Sequence, residues 1–463
     1  MLMKYKKLIL FTVAFLTLHQ FFVSYAYAYI DPVTGSAVLT VIAGAIAAGA
    51  MTFKYYWFKI KTKFSGDSEE NQTEIIGKTN SESSFVSEWA ELKKINRLSQ
   101  DERSIMFYAE NKASINHFES LILELTKKMN LQICYVTSVK DDPILSTKNQ
   151  RILPFYIGDG TARTKFFSSL KAKILVTDMP DLGKFHIKRS SEYPVHYIYL
   201  FHSMYSVHSY LRKGAVDNYD TIFCVGPHQI KEIREIEKVY GLKPKKLINY
   251  GYGRLDTLLQ KKKDSQITDS DVNDLIIIAP SYGDNNLIEK CGTKLIDILL
   301  KSNFRVMLRP HIRTLRDSTK LIDSIKKNFG QNPNFVLETG VINFDSLNNS
   351  KCMISDWSGI SLEYAFTFGR PVIFIDVPKK ILNPNWSDIE LEPIETSIRD
   401  KIGHIVSPNS LEEVLDLIRI LDKNTQNISE SIKDIRQKIV YNIGGSAKIG
   451  AEYINQLHNE SKD

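Results

Sequence analysis

Cysteine is scarce in this chain of 463 residues, and its four thiols lie far apart in the sequence. No Cys-x-x-Cys pair and no Cys/His spacing typical of zinc sites occurs, which excludes the common structural zinc modules. Three of the thiols lie in apolar runs that predict strands, so we expect buried, reduced cysteines and a reducing compartment. The four residues are Cys134, Cys224, Cys291 and Cys352.

An excess of one charge sign is also lacking, since the net charge is only +7. No basic stripe with interleaved aromatic residues is present, so we expect no nucleic-acid partner. The acidic residues form no cluster with the spacing of metal ligands, and we expect neither a metal nor another cofactor.

Long apolar runs are confined to the beginning of the chain. Residues 1–28 have the basic start, apolar centre and small-residue end of a signal peptide, or form a first hydrophobic segment. Residues 29–63 combine a nearly charge-free stretch with aromatic residues and lysines, which predicts a transmembrane anchor with a basic cytoplasmic flank. Polar residues 64–84 indicate a flexible linker. We expect a single-pass protein of the cell membrane whose large part is cytoplasmic; a hairpin of two uncleaved helices would also leave that part inside.

Beyond the linker, short β-rich runs alternate with helical patterns, which predicts α/β architecture with parallel sheets. A polar run at 261–274 separates two such series. We therefore expect a Rossmann-like domain over 85–265 and a second over 266–463, facing each other across a cleft.

The first candidate site lies where an apolar strand ends in Arg309-Pro310-His311. Ligands of open α/β sheets bind at the carboxyl ends of strands. Arg309 would bind an anionic group there and His311 would handle a proton. The alternative is that proline merely ends the strand.

The second candidate site is the stretch ISDWSGISLEY, where a strand leads into a helix. Hydroxyls and free amides at a helix amino terminus suit phosphate, although capping by one residue is the simpler alternative. Glu363 lies further along the helix and could accept hydrogen bonds from ribose, or could face solvent. The candidate residues for phosphate or nucleotide are Ser355, Asp356, Ser358, Gly359, Ser361 and Glu363.

The Arg-Pro-His element, followed by ISDWSGISLEYAFTFGRPVIF, resembles the CDP-glycerol glycerophosphotransferases, the teichoic-acid primases and polymerases. The resemblance covers roughly 195–376. It also includes His202 in YLFHSMYSVHSYL, at a position where the family has His-Gly-Thr. The stretch GYGRLDTLL matches the family's Gly-x-x-Arg-x-Asp element with Gly251, Arg254 and Asp256.

The resemblance implies a glycosyltransferase-B-like fold, with an acceptor domain before the donor domain. It implies transfer of a polyol phosphate from a CDP-activated donor to a hydroxyl of a cell-envelope glycan or lipid-linked acceptor, with release of CMP. His202 would be the general base, while Arg309 and His311 would stabilise the donor phosphates or His311 would protonate the leaving group. Further cleft candidates are Ser281, Arg254, Asp256 and His208. Expected partners are this donor, this acceptor and the membrane, with a homo-oligomer as an open alternative.

Three departures from the family pattern indicate a divergent member. Ser203-Met204 replaces Gly-Thr, Gly359 replaces a serine, and APSYGDNN (279–286) stands where the family has Pro-Thr-Trp-Arg.

Two other functions stay open. One is a UDP-sugar glycosyltransferase or epimerase with the same cleft, which would prefer uridine over cytidine. The other is a non-catalytic scaffold of envelope assembly.

Overall fold

The computed structural model describes residues 79–185, 187–265, 274–340 and 344–460. The predicted signal segment, the predicted anchor and most of the predicted linker lie outside these residues. The first described helix begins at Thr79, inside the predicted 64–84 linker. Within the described ranges, no helix is both long and apolar enough to cross a membrane.

The first half of the described chain is built on a seven-stranded parallel sheet in the order β3-β2-β1-β4-β5-β6-β7. Its central strands are apolar and buried at every position, as expected when helices cover both faces. The strands are β1 Ile105–Ala109, β2 Ile133–Thr137, β3 Ile152–Tyr156, β4 Ile174–Thr177, β5 His196–Leu200, β6 Thr221–Cys224 and β7 Lys246–Asn249.

The helices of the first half connect these strands and cover the sheet. They are α1 Thr79–Arg97, α2 Ser114–Leu123, α3 Thr161–Ser168, α4 Val207–Tyr210, α5 Pro227–Val239 and α6 Gly253–Asp264. A π-helical turn, Glu124–Lys128, continues α2, and a 3₁₀ turn spans Pro143–Ser146.

The second half is built on a six-stranded parallel sheet in the order β10-β9-β8-β11-β12-β13. In both sheets the strand order reverses once, between β1 and β4 and between β8 and β11. Such points are where open α/β sheets bind ligands. The strands are β8 Leu275–Ala279, β9 Arg305–Leu308, β10 Phe335–Leu337, β11 Cys352–Ser355, β12 Val372–Ile375 and β13 Gly403–Val406.

The helices of the second half include two that start directly after candidate site residues, α8 and α11. They are α7 Thr293–Lys301, α8 Ile312–Asp317, α9 Thr319–Phe329, α10 Phe344–Asn349, α11 Ile360–Phe368, α12 Ile394–Ser397, α13 Arg399–Ile402, α14 Glu413–Ile439 and α15 Ser446–Asn459. Short turns add Ile288–Gly292 before α7 and Trp386–Asp388 before α12.

Two parallel sheets, predicted from the alternating pattern, are confirmed. The end of the chain differs from the expected domain division, because α15 packs on the first sheet rather than the second. Ala451 and Ile454 are buried against Phe107 and Phe223 there. The end of α14 passes close to the first half, since a Cβ atom on Gly226 would lie 1.7 Å from the Ile439 carbonyl oxygen.

Asp256 holds the segment between α14 and α15 against the first half. Its Oδ1 accepts a hydrogen bond from the Gly444 amide at 2.6 Å, and its Oδ2 accepts one from the Ser446 amide at 3.0 Å. Asp256 therefore caps α15 from a distant part of the chain, whereas the sequence placed it among the cleft candidates.

Removing this cap should destabilise the protein. We expect Asp256→Ala to lower the free energy of unfolding by about 1.5–3 kcal/mol, because two amides lose a charged acceptor. Asp256→Asn, which keeps one oxygen acceptor, should lose less. Urea denaturation followed by circular dichroism measures both. Unchanged stability together with lost ligand binding would instead place Asp256 in the cleft.

Candidate active site between the two halves

The segment 203–211, which follows β5, docks the first half on the second. The Tyr205 hydroxyl lies 3.4 Å from the Ser361 hydroxyl at the start of α11. The Ser206 amide donates to Glu395 Oε2 at 3.2 Å, and the Ile394 amide donates to the Ser206 hydroxyl at 2.7 Å. These contacts place the end of β5 beside the amino terminus of α11.

His208 belongs to this docking segment. It is buried, with Nε2 3.0 Å from the Leu391 carbonyl oxygen and Nδ1 3.3 Å from Glu232 Oε2. Both ring nitrogens thus face groups of the protein. The structure places His208 in the contact between the halves, although the sequence offered it as a cleft residue.

His202 lies at the carboxyl end of β5, half-buried, at the start of the docking segment. Burial lowers its pKa below the ordinary 6.5, and a hydrogen bond to the Asp178 backbone opposes this only in part. The imidazole is therefore neutral at pH 7. A neutral imidazole beside an acceptor hydroxyl can take its proton, which is the role that the sequence predicted.

His117 is a second histidine at this place, and sequence reasoning missed it. Its ring centroid lies 6.1 Å from that of His202, and its Nδ1 lies 3.5 Å from the Tyr252 hydroxyl. Burial, followed by the charges of His202 and Arg254, holds its pKa well below the ordinary value. In the sequence His117 sits inside an amphipathic helical pattern, where nothing distinguishes it from a core residue.

Glu363, on α11 of the second half, forms hydrogen bonds to residues of the first half within the site. Only 9% of it is exposed, and its Oε2 accepts a hydrogen bond from Arg254 Nε at 2.8 Å. The Tyr252 hydroxyl lies 2.8 Å from Glu363 Oε1 and 3.0 Å from the His202 carbonyl oxygen, and its single proton serves one of them at a time. A ribose would have to share a carboxylate that already bridges the halves, so Glu363 and Arg254 position the site.

His311 and Arg309 lie on the opposite side, at the end of β9. His311 Nδ1 accepts a hydrogen bond from the Arg313 amide at 3.1 Å, which leaves the proton of the neutral ring on Nε2. Burial, followed by the charges of Lys380, Arg313 and Arg309, lowers the pKa of His311 to about 4. At neutral pH His311 is therefore a hydrogen-bond donor rather than an acid.

Arg309 provides a cation with an unused donor. Its Nε is buried and has no hydrogen-bond partner among the described residues. Burial lowers its pKa to about 10, while the nearby Glu363 opposes that shift, so the guanidinium is charged at neutral pH. A charged, partly desolvated guanidinium with a free N–H suits a phosphate oxygen.

Two of the predicted phosphate residues, Ser355 and Asp356, and the cleft candidate Ser281 serve the protein itself. The Ser355 hydroxyl donates to the Ala279 carbonyl oxygen at 2.7 Å. Asp356 accepts hydrogen bonds from the amides of Ser281, Trp357 and Leu287 at 2.6, 2.6 and 2.9 Å. Burial raises the pKa of Asp356 against the effect of these bonds. Ser355, Asp356 and Ser281 thus fix the ends of β8 and β11 and so the start of α11.

The remaining predicted residues form the amino terminus of α11. The Ser361 hydroxyl donates to the Ser358 carbonyl oxygen at 2.8 Å, and Gly359 precedes the first helical residue. A Cβ atom on Gly359 would lie 3.2 Å from the Ser203 hydroxyl oxygen of the first half. The side chain of Ser203 thus takes the space that a side chain at 359 would need.

No group of three or more His, Cys, Asp or Glu side chains suited to a metal ion occurs in the part of the chain that the structure describes. The described residues of the site bring together neutral histidines, cationic groups and a helix amino terminus.

The contact between Ser203 and Gly359 predicts coupled substitutions. Gly359→Ser should stabilise the protein less than a serine at a helix start ordinarily does, because the added side chain crowds the Ser203 hydroxyl. In a Ser203→Gly background the same substitution should be more favourable by about 0.5–3 kcal/mol, since the crowding oxygen is gone. Urea denaturation of the two single variants and the double variant gives the coupling energy. Strictly additive effects would show that the two positions do not touch.

The family model described as CDP-Glycerol:Poly(glycerophosphate) glycerophosphotransferase matches residues 92–380, more than half of the chain. No curated protein sequence matches.

Solved structures share the fold at low identity. The wall teichoic acid polymerase TagF is 15% identical, with a TM-score of 0.51, and the match covers 81% of this chain and 94% of TagF. The UDP-GlcNAc 2-epimerase of Methanocaldococcus jannaschii is 14% identical, with a TM-score of 0.50, and the match covers 76% of this chain and 99% of the epimerase. These likenesses establish a glycosyltransferase-B-like fold. By the family match, the chain belongs to the CDP-glycerol:poly(glycerophosphate) glycerophosphotransferase family and is a CDP-glycerol glycerophosphotransferase-like enzyme.

Proposed function

We propose that this enzyme moves glycerol phosphate, or a similar polyol phosphate, from a CDP-activated donor to a hydroxyl of a cell-envelope glycan or lipid-linked acceptor. The observation that carries the proposal is the contact of the His202–Ser203 turn with the start of α11. It supports a site in which a neutral histidine of one half meets the helix terminus that would bind phosphate on the other.

On the acceptor side, His202 acts as general base. The acceptor hydroxyl oxygen forms a bond to the phosphorus that carries the polyol, and its proton passes to the His202 imidazole. The bond from that phosphorus to the oxygen of CMP breaks, and CMP leaves with the electron pair. A base of this kind contributes about 10²–10⁴-fold to the rate.

On the donor side, the departing CMP needs stabilisation of its negative charge more than it needs a proton. A phosphate monoester has a second pKa of about 6, so CMP leaves as an anion at neutral pH. Arg309, the Nε2–H of His311 and the first amides of α11 supply cationic and dipolar groups for that anion. A neutral His311 as hydrogen-bond donor fits this role better than the proton donor also considered from the sequence.

The amino-terminal segment completes the proposal. Residues 29–63 would anchor the enzyme in the cell membrane, with the catalytic part on the cytoplasmic side. Nucleotide-activated donors are cytoplasmic and lipid-linked acceptors lie in the inner leaflet. A tether over 64–78 would raise the effective concentration of such an acceptor at the cleft.

Nucleotide selectivity tests the donor class. We expect the full-length protein in detergent to bind CMP, CDP-glycerol and CDP-ribitol more tightly than UMP or UDP-N-acetylglucosamine, measured by isothermal titration calorimetry. Preference for uridine would point to sugar transfer or epimerisation. A folded protein that binds none of these nucleotides would leave only the scaffold.

Substitution of the base tests the mechanism. His202→Ala should lower kcat about 10²–10⁴-fold while the Kd for CDP-glycerol changes little, because the base acts only in the transition state. His404→Ala, a half-buried histidine of β13 away from the site, is the matched control. An unchanged kcat of His202→Ala would remove His202 from the mechanism.

The pH dependence should carry the same signature. His202 must be neutral to accept a proton, and burial lowers its pKa below 6.5. The acidic limb of the wild-type kcat/KM profile should therefore be centred below pH 6.5, where His202 becomes protonated. The residual activity of His202→Ala should lack this acidic limb. An acidic limb centred above pH 7 in the wild type would contradict the assignment.

A further inference from the structure

A group of cationic side chains surrounds the ring of Tyr282, next to His311. Lys380 Nζ lies 3.0 Å from the centre of the ring, and the Arg313 guanidinium carbon lies 4.8 Å from it. The Tyr282 and His311 ring centroids are 4.6 Å apart. These residues come from the segments after β8, β9 and β12, whose carboxyl ends lie along the same edge of the second parallel sheet.

The two cations of this group have no acidic partner in contact. Among the described residues, neither the Lys380 ammonium nor the Arg313 guanidinium forms an ion pair. The nearest acidic influence on Lys380 is Asp356, whose carboxylate already accepts three backbone amides. The positive charge here is offset only in part, by Asp356 near Lys380 and by the exposed Asp317 near Arg313, and a bound anion would stabilise it further.

Lys380 is sensitive to such an anion. It is half-buried, and burial, helped by the charge of Arg313 and opposed by Asp356, lowers its pKa to about 7. Tyr210 of the first half also faces Tyr282 and Arg313, and burial raises its pKa to about 12, so it is uncharged near pH 7. His311 and Arg309 add no negative charge. The ammonium is thus only partly populated near neutral pH, and a bound polyanion would favour its charged form.

The group also lies next to the donor phosphates of the proposed reaction, because His311 belongs to both. We infer that Lys380 and Arg313 bind the diphosphate of the nucleotide donor, and that Lys380 takes up a proton from solvent as the diphosphate binds. This inference rests on the proposed function. Tyr282 holds the two cations in place through its ring.

Two consequences separate this inference from a general effect of positive charge. Affinity for CDP-glycerol and CDP should depend on Lys380 much more than affinity for CMP, which lacks the second phosphate. Binding of CDP-glycerol should also weaken as the pH rises above 7, by up to tenfold per unit, since each binding event then requires a proton.

The test is calorimetry of CDP-glycerol binding to the full-length protein at pH 8, in two buffers of different ionisation enthalpy. The wild type should take up close to one proton for each CDP-glycerol bound. Lys380→Met should lose about tenfold or more in affinity for CDP-glycerol and less than about threefold for CMP. Lys380→Arg, which is always charged, should bind CDP-glycerol without proton uptake.

Lys379→Met is the matched control, because the neighbouring Lys379 lies over the Trp386 ring, with Nζ 4.5 Å from its centre, and away from Tyr282. It should keep both the affinity and the proton uptake. Cytidine-selective binding without proton uptake in the wild type, or equal losses for CDP-glycerol and CMP in Lys380→Met, would overturn the inference and leave the proposed function intact. Failure of the wild type to bind CDP-glycerol would overturn both.

Discussion

The whole arrangement depends on the docking of segment 203–211 against the second half. Its most demanding element is Glu395, a carboxylate that is 5% exposed and accepts hydrogen bonds from the Ser206 amide and the Ser209 hydroxyl. A buried carboxylate is costly unless its hydrogen bonds are made, so it favours one register of the two halves. That register carries His202, at the start of the segment, to the amino terminus of α11.

The two sides of the resulting site differ in charge: the side of His202 is neutral and the side of Arg309 is cationic. Around His202 and His117, burial disfavours the protonated imidazoles and leaves them neutral. Arg309 keeps a charged guanidinium within electrostatic reach of Glu363 and Arg254. In the proposed mechanism, a proton acceptor and anion-binding groups are thus in place before the substrate arrives, and such preorganisation is the main source of electrostatic catalysis.

Local patterns in the sequence were enough to predict the buried strands, the Arg-Pro-His strand end and the helix after Ser358. They were not enough for the edge strands β7 and β13, which are short and only partly buried, nor for the break between α14 and α15. The roles of Asp256, His208 and Glu363 depend on partners far away in the chain; Glu363, for example, bonds to a residue 109 positions earlier. No local pattern contains that information, so capping, docking and bridging residues looked like cleft residues.

The central claim is that this cleft transfers a polyol phosphate by attack on phosphorus, and not a sugar by attack on carbon. Phosphorus-31 NMR of the full-length enzyme with CDP-glycerol and isolated membranes tests it directly, because the nucleotide product reveals which bond breaks. The account predicts release of CMP together with a new phosphodiester signal in the membrane fraction, both forming about 10²–10⁴-fold more slowly in His202→Ala. Release of CDP, or turnover of UDP-N-acetylglucosamine with CDP-glycerol left intact, would contradict it.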